Sequence, residues 1–192
     1  KRQNRMNEVC DPLVHKINLM LPALLKSQVN EDPTLPDEAL MFSMWMVYLA
    51  FSTSKPNPSR KESQSLNDAY NQIFKDLAVQ RYKEFELKDE GVSEFVYSTE
   101  FSKKYILHFR DRASGYDDAF NRDKGAAFAV PDNEFQDYVP ENLLVLCINN
   151  IYENEYVVSN PSDLNKDFVH GFMDFYANSM EEAVSSFNHL TL

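Results

Sequence analysis

The sequence has little glycine and little cysteine, and it has no long apolar run. Only four glycines occur in 192 residues, and because sheet-rich folds use glycine at hairpin turns and bulges, this scarcity favours a helical fold. Two cysteines, Cys10 and Cys147, are too few for a disulfide framework and lack the spacing of a zinc site, while a bond between them is left open. The most apolar run, 39–51, is shorter than the roughly 20 residues of a membrane span, so we expect a buried helix and a soluble, cytoplasmic protein.

Motifs that would name a reaction are also absent from the sequence. There is no glycine-rich phosphate loop, no G-x-S-x-G nucleophile elbow and no H-E-x-x-H zinc motif. Active sites are assembled in space, so an enzyme is not excluded, but we expect a binding protein without a cofactor. His108 and Asp111 are a candidate acid–base pair. Because no serine or cysteine nucleophile has a recognisable context, a surface helix end of mixed charge is the favoured interpretation.

One basic cluster lies in the middle of this otherwise acidic chain. It consists of Lys103, Lys104, Arg110 and Arg112. Phosphate binding uses such residues, but the isoelectric point near 4.8 argues against a nucleic-acid partner. We expect these bases to pair with acids of the protein itself, such as Asp117 and Asp118.

The spacing of apolar residues predicts an all-α fold. We expect a single domain over residues 1–192, built as an irregular or orthogonal bundle of about six to seven helices. Helices are predicted over about 7–28 with a kink or break at Pro22, from a capped start at Thr34–Asp37 up to the next loop, and then over 66–85, 93–112, 141–152 and 162–189. Short strands at 94–97 and 143–148 are the alternatives. We expect residues 1–6 to be frayed, 54–65 to form a mobile loop, and 114–140 to be an irregular acidic segment.

Charge is distributed unevenly along the chain. Residues 113–192 hold fourteen acidic and three basic residues, which accounts for the whole formal net charge of −11. Aromatic side chains among these acids are typical of a protein-binding surface, since aromatics anchor a partner and acids steer a basic one. We therefore predict an acidic protein-binding module, an inhibitor or immunity-type protein that restrains a basic partner through 114–141 and the outer face of the last helix. The predicted binding residues are Asp117, Asp118, Phe120, Asp132, Glu134, Phe135, Asp137 and Tyr138.

Three alternatives to a protein-binding module are compatible with the same residues. In the first, acidity serves only solubility, and the aromatics hold loops onto the core. The second is a helical enzyme or sensor, because Asp163, Asp167, His170 and Asp174 follow each other at helical spacing and are ligands for a divalent metal. The third is a structural subunit that forms a homo-oligomer.

Overall fold

Six α-helices form the part of the chain that the structure describes. This structure is a computed structural model, and it describes residues 3–29, 35–128, 141–152, 158 and 164–190. The helices are α1 (Gln3–Val29), α2 (Pro36–Ser54), α3 (Arg60–Glu84), α4 (Glu94–Phe128), α5 (Glu141–Ile151) and α6 (Lys166–Asn188). No strand occurs in these residues, so the predicted all-α, single-domain bundle is confirmed.

Helix α2 is the centre of the bundle. Its apolar residues lie all round the helix, as expected for a helix with neighbours on every side. Helices α1, α6, α4 and α5 pack against it, and α3 packs outside them against α1 and α4. Rings of Phe42, Trp45, Tyr116 and Phe172 meet at centroid distances of 5.1–6.2 Å, which places an aromatic cluster between α2, α4 and α6.

Helices α3 and α4 extend beyond their predicted bounds. A capping box between Ser59 and Glu62 starts α3 at Arg60, so the loop predicted over 54–65 is wrong for its second half. The polar residues that suggested a loop there form the first turns of the helix. Helix α4 continues to Phe128, so the irregular segment predicted at 114–140 is wrong for 114–128. The reason is that Tyr116, Ala119 and Asp123 are buried at helical spacing, whereas residues 129–140 lie outside the described part.

Two predictions for α1 also need correction, one about its first residues and one about Pro22. Helix α1 begins at Gln3 and Met6 is fully buried, so the prediction of frayed residues is wrong for 3–6. Pro22 does not split α1, because complete burial of Leu21 and Leu25 offsets the roughly 3 kcal/mol that an internal proline costs. Helix α5 is confirmed as predicted. Among the described residues, no helix combines the length and the apolar character needed to cross a membrane.

Candidate functional site

Three of the predicted partner-binding residues lie in the described part, near the end of α4. Asp117 accepts a hydrogen bond from Trp45 Nε1 at 2.9 Å, and the ring of Phe120 meets the Trp45 ring edge-on with centroids 6.0 Å apart. Asp118 is exposed. Asp117 and Phe120 therefore hold the central helix, whether or not they also touch a partner. The other five, Asp132, Glu134, Phe135, Asp137 and Tyr138, lie outside the described residues.

The outer face of α6 carries the residues predicted to bind a metal. Asp167, His170 and Asp174 are exposed along this face, while Asp163 lies outside the described residues. Within the described ranges, no group of three or more His, Cys, Asp or Glu side chains is arranged to hold a metal ion. A metal centre on α6 would therefore need a ligand from elsewhere, such as Asp163.

The same face of α6 forms an acidic stripe, which we define as Asp167, Asp174 and Glu181. These residues follow each other at intervals of seven, which puts them on one face about 10.5 Å apart. All three are exposed, and none forms an ion pair with another described residue. The neighbouring Glu182, in contrast, pairs with Lys16 of α1. The α6 acidic stripe is thus a row of uncompensated charges directed to solvent.

The predicted His108–Asp111 pair is replaced by a contact with α2. His108 Nε2 lies 2.6 Å from Oε1 of Glu38, and Arg112 donates to both carboxylate oxygens of Glu38 at 2.8 and 3.1 Å. The Glu38 side chain is only 6% exposed, so this carboxylate is a buried group compensated by two partners on α4. Asp111 is exposed. The expectation that the basic cluster pairs internally holds for Arg112, although its partner is Glu38 rather than Asp117 or Asp118.

Asp37 forms a second, half-buried polar contact beside Glu38. Its carboxylate accepts hydrogen bonds from Arg81 of α3, at 3.1 Å, and from the Tyr105 hydroxyl of α4. Burial raises the pKa of Tyr105, and the bond to the Asp37 carboxylate raises it further. Asp37 and Glu38 together tie the first turn of α2 to α3 and α4, where the sequence indicated only a favourable interaction with the helix dipole.

The two thiols are unsuited to nucleophilic chemistry. Cys10 and Cys147 are free and fully buried. Burial raises the pKa of Cys10 to about 12 and raises that of Cys147 as well. Because the thiolate is the reactive form, both side chains act as small apolar core residues at neutral pH.

A buried carboxylate near the end of α4 supports the start of α5. Asp123 is 2% exposed and accepts hydrogen bonds from the backbone N–H groups of Asn142 and Leu143, at 3.1 and 3.0 Å. It also accepts one from the Asn142 side chain at 2.7 Å. A side chain of α4 thus serves as the N-terminal cap of α5, and no local pattern indicates it because the two residues that meet are 19 apart.

A groove between α3 and α4 is a surface feature that the sequence did not indicate. It consists of two cavities of about 560 and 610 Å³, which share Asn71 and Ile106 in their walls. We call this the α3–α4 groove. Its formation depends on the packing of two antiparallel helices, so no local pattern in the sequence reveals it. Lys103 and Arg110, two members of the basic cluster seen in the sequence, both line it.

Comparisons with protein-family models, with curated proteins and with solved structures found no match to this chain. The fold therefore assigns this chain to a structural class, the all-α, single-domain helical bundles. Its buried carboxylates Glu38 and Asp123 are engaged within the bundle, and the features of its described surface include the α6 acidic stripe and the α3–α4 groove.

Proposed function

We propose that this chain is an acidic protein-binding module that holds a basic partner, in the manner of an inhibitor or immunity-type protein. The observation that carries the proposal is the α6 acidic stripe. Three exposed carboxylates without an ion-pair partner among the described residues extend over about 21 Å of one helix face, which matches a basic helix or patch on a partner.

The internal polar clusters favour binding over catalysis. The carboxylates of Asp37, Glu38 and Asp123 are each satisfied by two or more donors from neighbouring elements. Groups held in this way serve to stabilise the bundle. The carboxylates of the stripe, in contrast, keep their charge and their hydrogen-bonding capacity for another molecule.

Electrostatic steering explains why a stripe of this kind suits a basic partner. Opposite charges on two surfaces raise the association rate, and the effect weakens as salt shortens the range of the interaction, which is about 10 Å at 0.1 M. Successive carboxylates of the stripe are about 10.5 Å apart along α6, which is similar to this distance. Binding through α6 should therefore fall steeply between low and moderate salt.

The test is a tagged pull-down from a lysate of the source cells, with the bound proteins identified at low and at moderate salt. The bait is compared with a stripe variant, Asp167→Asn/Asp174→Asn/Glu181→Gln, and with a matched control, Glu86→Gln/Asp89→Asn/Glu90→Gln. Both variants lose three negative charges at exposed positions, but the control changes the α3–α4 connection. We expect one dominant basic protein that the control retains and the stripe variant loses.

Three results contradict the proposal: equal retention by the stripe variant, equal loss in both variants, or no basic protein on any bait. The captured protein is then purified, and its dissociation constant is measured between about 50 and 300 mM salt. Light scattering on the free chain accompanies the assay, because a mass of twice 22.3 kDa that does not change with salt would favour the homo-oligomer instead.

A further inference from the structure

One of the two cavities of the α3–α4 groove has the size and the walls of a small-molecule site. Its volume is about 560 Å³, within the range of about 300–1,000 Å³ that is usual for small ligands. Helices α3 and α4 form most of its walls, and Tyr48 of α2 completes the lining. We call it the Arg110–Asp117 cavity, after the two charged side chains that line it.

Buried and half-buried aromatic side chains line this cavity on the inside. The ring of Phe109 is half-buried and meets the ring of Tyr70 edge-on, with centroids 5.4 Å apart. Phe74 is fully buried, and the centroid of its ring lies 6.4 Å from that of Phe109. The Tyr70 hydroxyl donates to the Met44 carbonyl at 2.6 Å, so it is not available to a ligand. These rings therefore offer an apolar surface that suits an aromatic group.

Polar side chains with unused hydrogen-bonding capacity line the outer part of the cavity. They are Asn67 and Asn71 of α3 and Arg110, Ser114 and Asp117 of α4. Apart from Asp117, none of them forms a side-chain hydrogen bond or an ion pair with another described residue. Asp117 accepts one hydrogen bond, from Trp45, which uses only its Oδ1 atom. Because helical neighbours at i+3 and i+4 share a face, these side chains form one row on each helix.

The two charges of the cavity have opposite signs and lie at separate positions along α4. Arg110 and Asp117 are seven residues apart, which is about 10.5 Å along the helix axis. Neither forms an ion pair with a described residue, and they do not pair with each other. The cavity is therefore neutral as a whole but has a positive and a negative end.

The alignment of α3 with α4 shows which polar groups accompany each charge. Two ring contacts fix this alignment, Tyr70 with Phe109 and Phe74 with Tyr105. The helices are antiparallel in this register, so Arg110 is level with the turn of α3 between Asn67 and Asn71. Asp117 lies beyond that turn, one helical turn after Ser114 on α4. The positive end thus has two amides beside it, and the negative end has a hydroxyl.

This arrangement selects a molecule that carries charges of both signs. A ligand with only a negative charge would also face Asp117, and a ligand with only a positive charge would also face Arg110. A guanidinium pairs well with a carboxylate, and side-chain amides can donate to the same group. At the other end, Asp117 Oδ2 and Ser114 Oγ can accept hydrogen bonds from an ammonium group.

We propose that the Arg110–Asp117 cavity binds a small zwitterion with an aromatic group, of the size of a dipeptide or tripeptide. Its carboxylate pairs with Arg110, its ammonium group pairs with Asp117, and its ring packs against Phe109. The ends of an extended peptide of two or three residues are about 7–10 Å apart, which is comparable to the separation of the two charges along α4. This site goes beyond the proposed function, because it takes a small molecule and uses none of the α6 acidic stripe.

The test uses four dipeptide probes that differ in charge or in the ring. Gly-Phe is a zwitterion, Gly-Phe amide lacks the carboxylate, N-acetyl-Gly-Phe lacks the ammonium group, and Gly-Gly lacks the ring. Amide chemical shifts of the intact, ¹⁵N-labelled chain measure each dissociation constant, with up to about 10 mM of probe. We expect Gly-Phe to bind about tenfold more tightly than each of the others, because each of them lacks one of the three contacts.

Two substitutions assign each charge of the probe to one end of the cavity. Arg110→Gln should weaken Gly-Phe about tenfold without weakening Gly-Phe amide, because that probe has no carboxylate. Asp117→Asn keeps an oxygen for the Trp45 hydrogen bond, and it should weaken Gly-Phe without weakening N-acetyl-Gly-Phe. Lys104→Gln and Asp118→Asn make the same changes of charge outside the cavity, so they should bind all four probes as the wild type does.

The proposal is overturned if Gly-Phe does not bind, if it binds no more tightly than the singly charged probes, or if the cavity variants behave like their controls. The stripe variant Asp167→Asn/Asp174→Asn/Glu181→Gln should bind Gly-Phe as the wild type does, and a loss there would place the probe outside the cavity. The pull-down tests the stripe separately, so each proposal can fail without the other.

Discussion

The first turn of α2 and the outer face of α6 carry the same chemical group in opposite situations. Glu38 is 6% exposed and is compensated by Arg112 and His108. Asp174, on α6, is exposed and has no ion-pair partner among the described residues. Both are carboxylates within a helix, so neither the chemical group nor the secondary structure distinguishes them. The difference lies in what the neighbouring helices bring to each one.

This difference separates charges that serve the fold from charges that serve a partner. A buried carboxylate must be compensated within the molecule, and removing its partner leaves an uncompensated charge that costs several kcal/mol. An exposed carboxylate is solvated by water and contributes little to stability. Its role therefore depends on the other molecules that it contacts. Each of the following predictions tests this separation, in order of expected size.

Alkaline pH should have the largest effect on stability, because folding buries several groups that ionise in the unfolded chain as the pH rises. Burial raises the pKa of Cys10, Cys147, Tyr70 and Tyr116. A group whose pKa is raised by folding gives stability that is fully present below its unfolded pKa and is lost as pH rises. As the pH rises from 8 to 10.5, the two thiols ionise in the unfolded chain but not in the folded one, so the free energy of unfolding should fall progressively. Urea titrations at the two pH values measure this loss.

The stripe variant leaves the buried thiols and phenols unchanged, so it should show the same loss of stability as the wild type. A free energy of unfolding that stays constant from pH 8 to pH 10.5 would mean that the thiols and phenols ionise within the folded chain. Their burial would then not control their titration.

Glu38→Gln should have the largest effect of any single substitution in this comparison. It keeps the size of the side chain but removes the charge that compensates Arg112 and that His108 contacts. Loss of one partner of a fully buried pair costs 3–5 kcal/mol, and because Arg112 is 25% exposed we expect about 2–3 kcal/mol. Chemical denaturation measures the change.

The neighbouring substitution Asp37→Asn is the control for Glu38→Gln. Asp37 is 32% exposed and its partner Arg81 is 27% exposed, so we expect a loss of about 1 kcal/mol or less. Adding Arg112→Met to Glu38→Gln should recover part of the lost stability, since it removes the remaining charge. Equal losses for Glu38→Gln and Asp37→Asn would show that burial does not distinguish the two carboxylates.

Asp123→Ala should have an intermediate effect that is confined to one helix. The substitution removes the cap that Asn142 and Leu143 use, which costs about 1–2 kcal/mol. Hydrogen exchange should accelerate at the first amides of α5 and stay unchanged in α6. Uniform acceleration in both helices would mean that Asp123 supports the whole bundle rather than the start of α5.

Local patterns are enough to predict the helices, but not the contacts between them. The apolar spacing in α3 and α5 identifies these helices, because helical periodicity depends on residues three and four apart. Helix α4 is longer than its prediction because Gly115 and the aspartates after it are typical of loops, whereas burial of Tyr116 and Ala119 stabilises the helix there. The Glu38–Arg112 contact joins residues 74 apart. Such a contact is fixed only when α2 and α4 pack together.

The α6 acidic stripe could be predicted from the sequence, because it depends only on residues within one helix. Its three residues repeat at intervals of seven within one helix, so its geometry is local, and the excess of acidic residues in 113–192 points to it. The α3–α4 groove has the opposite character. Lys103 and Arg110 stand out in the sequence as part of a basic cluster, but the residues that complete the groove come from α3, and their proximity follows from the tertiary fold.

The stripe variant Asp167→Asn/Asp174→Asn/Glu181→Gln should have the smallest effect on stability and thereby complete the comparison. Its side chains are exposed, so we expect the free energy of unfolding to change by less than about 0.5 kcal/mol in total. Thermal and urea unfolding of the variant and of the Glu86→Gln/Asp89→Asn/Glu90→Gln control measure this. A stripe that costs nothing to remove but abolishes partner binding is retained for the partner, because nothing in the described fold depends on it. A loss of about 2 kcal/mol or more would instead place these carboxylates with Glu38, as charges that the bundle itself requires.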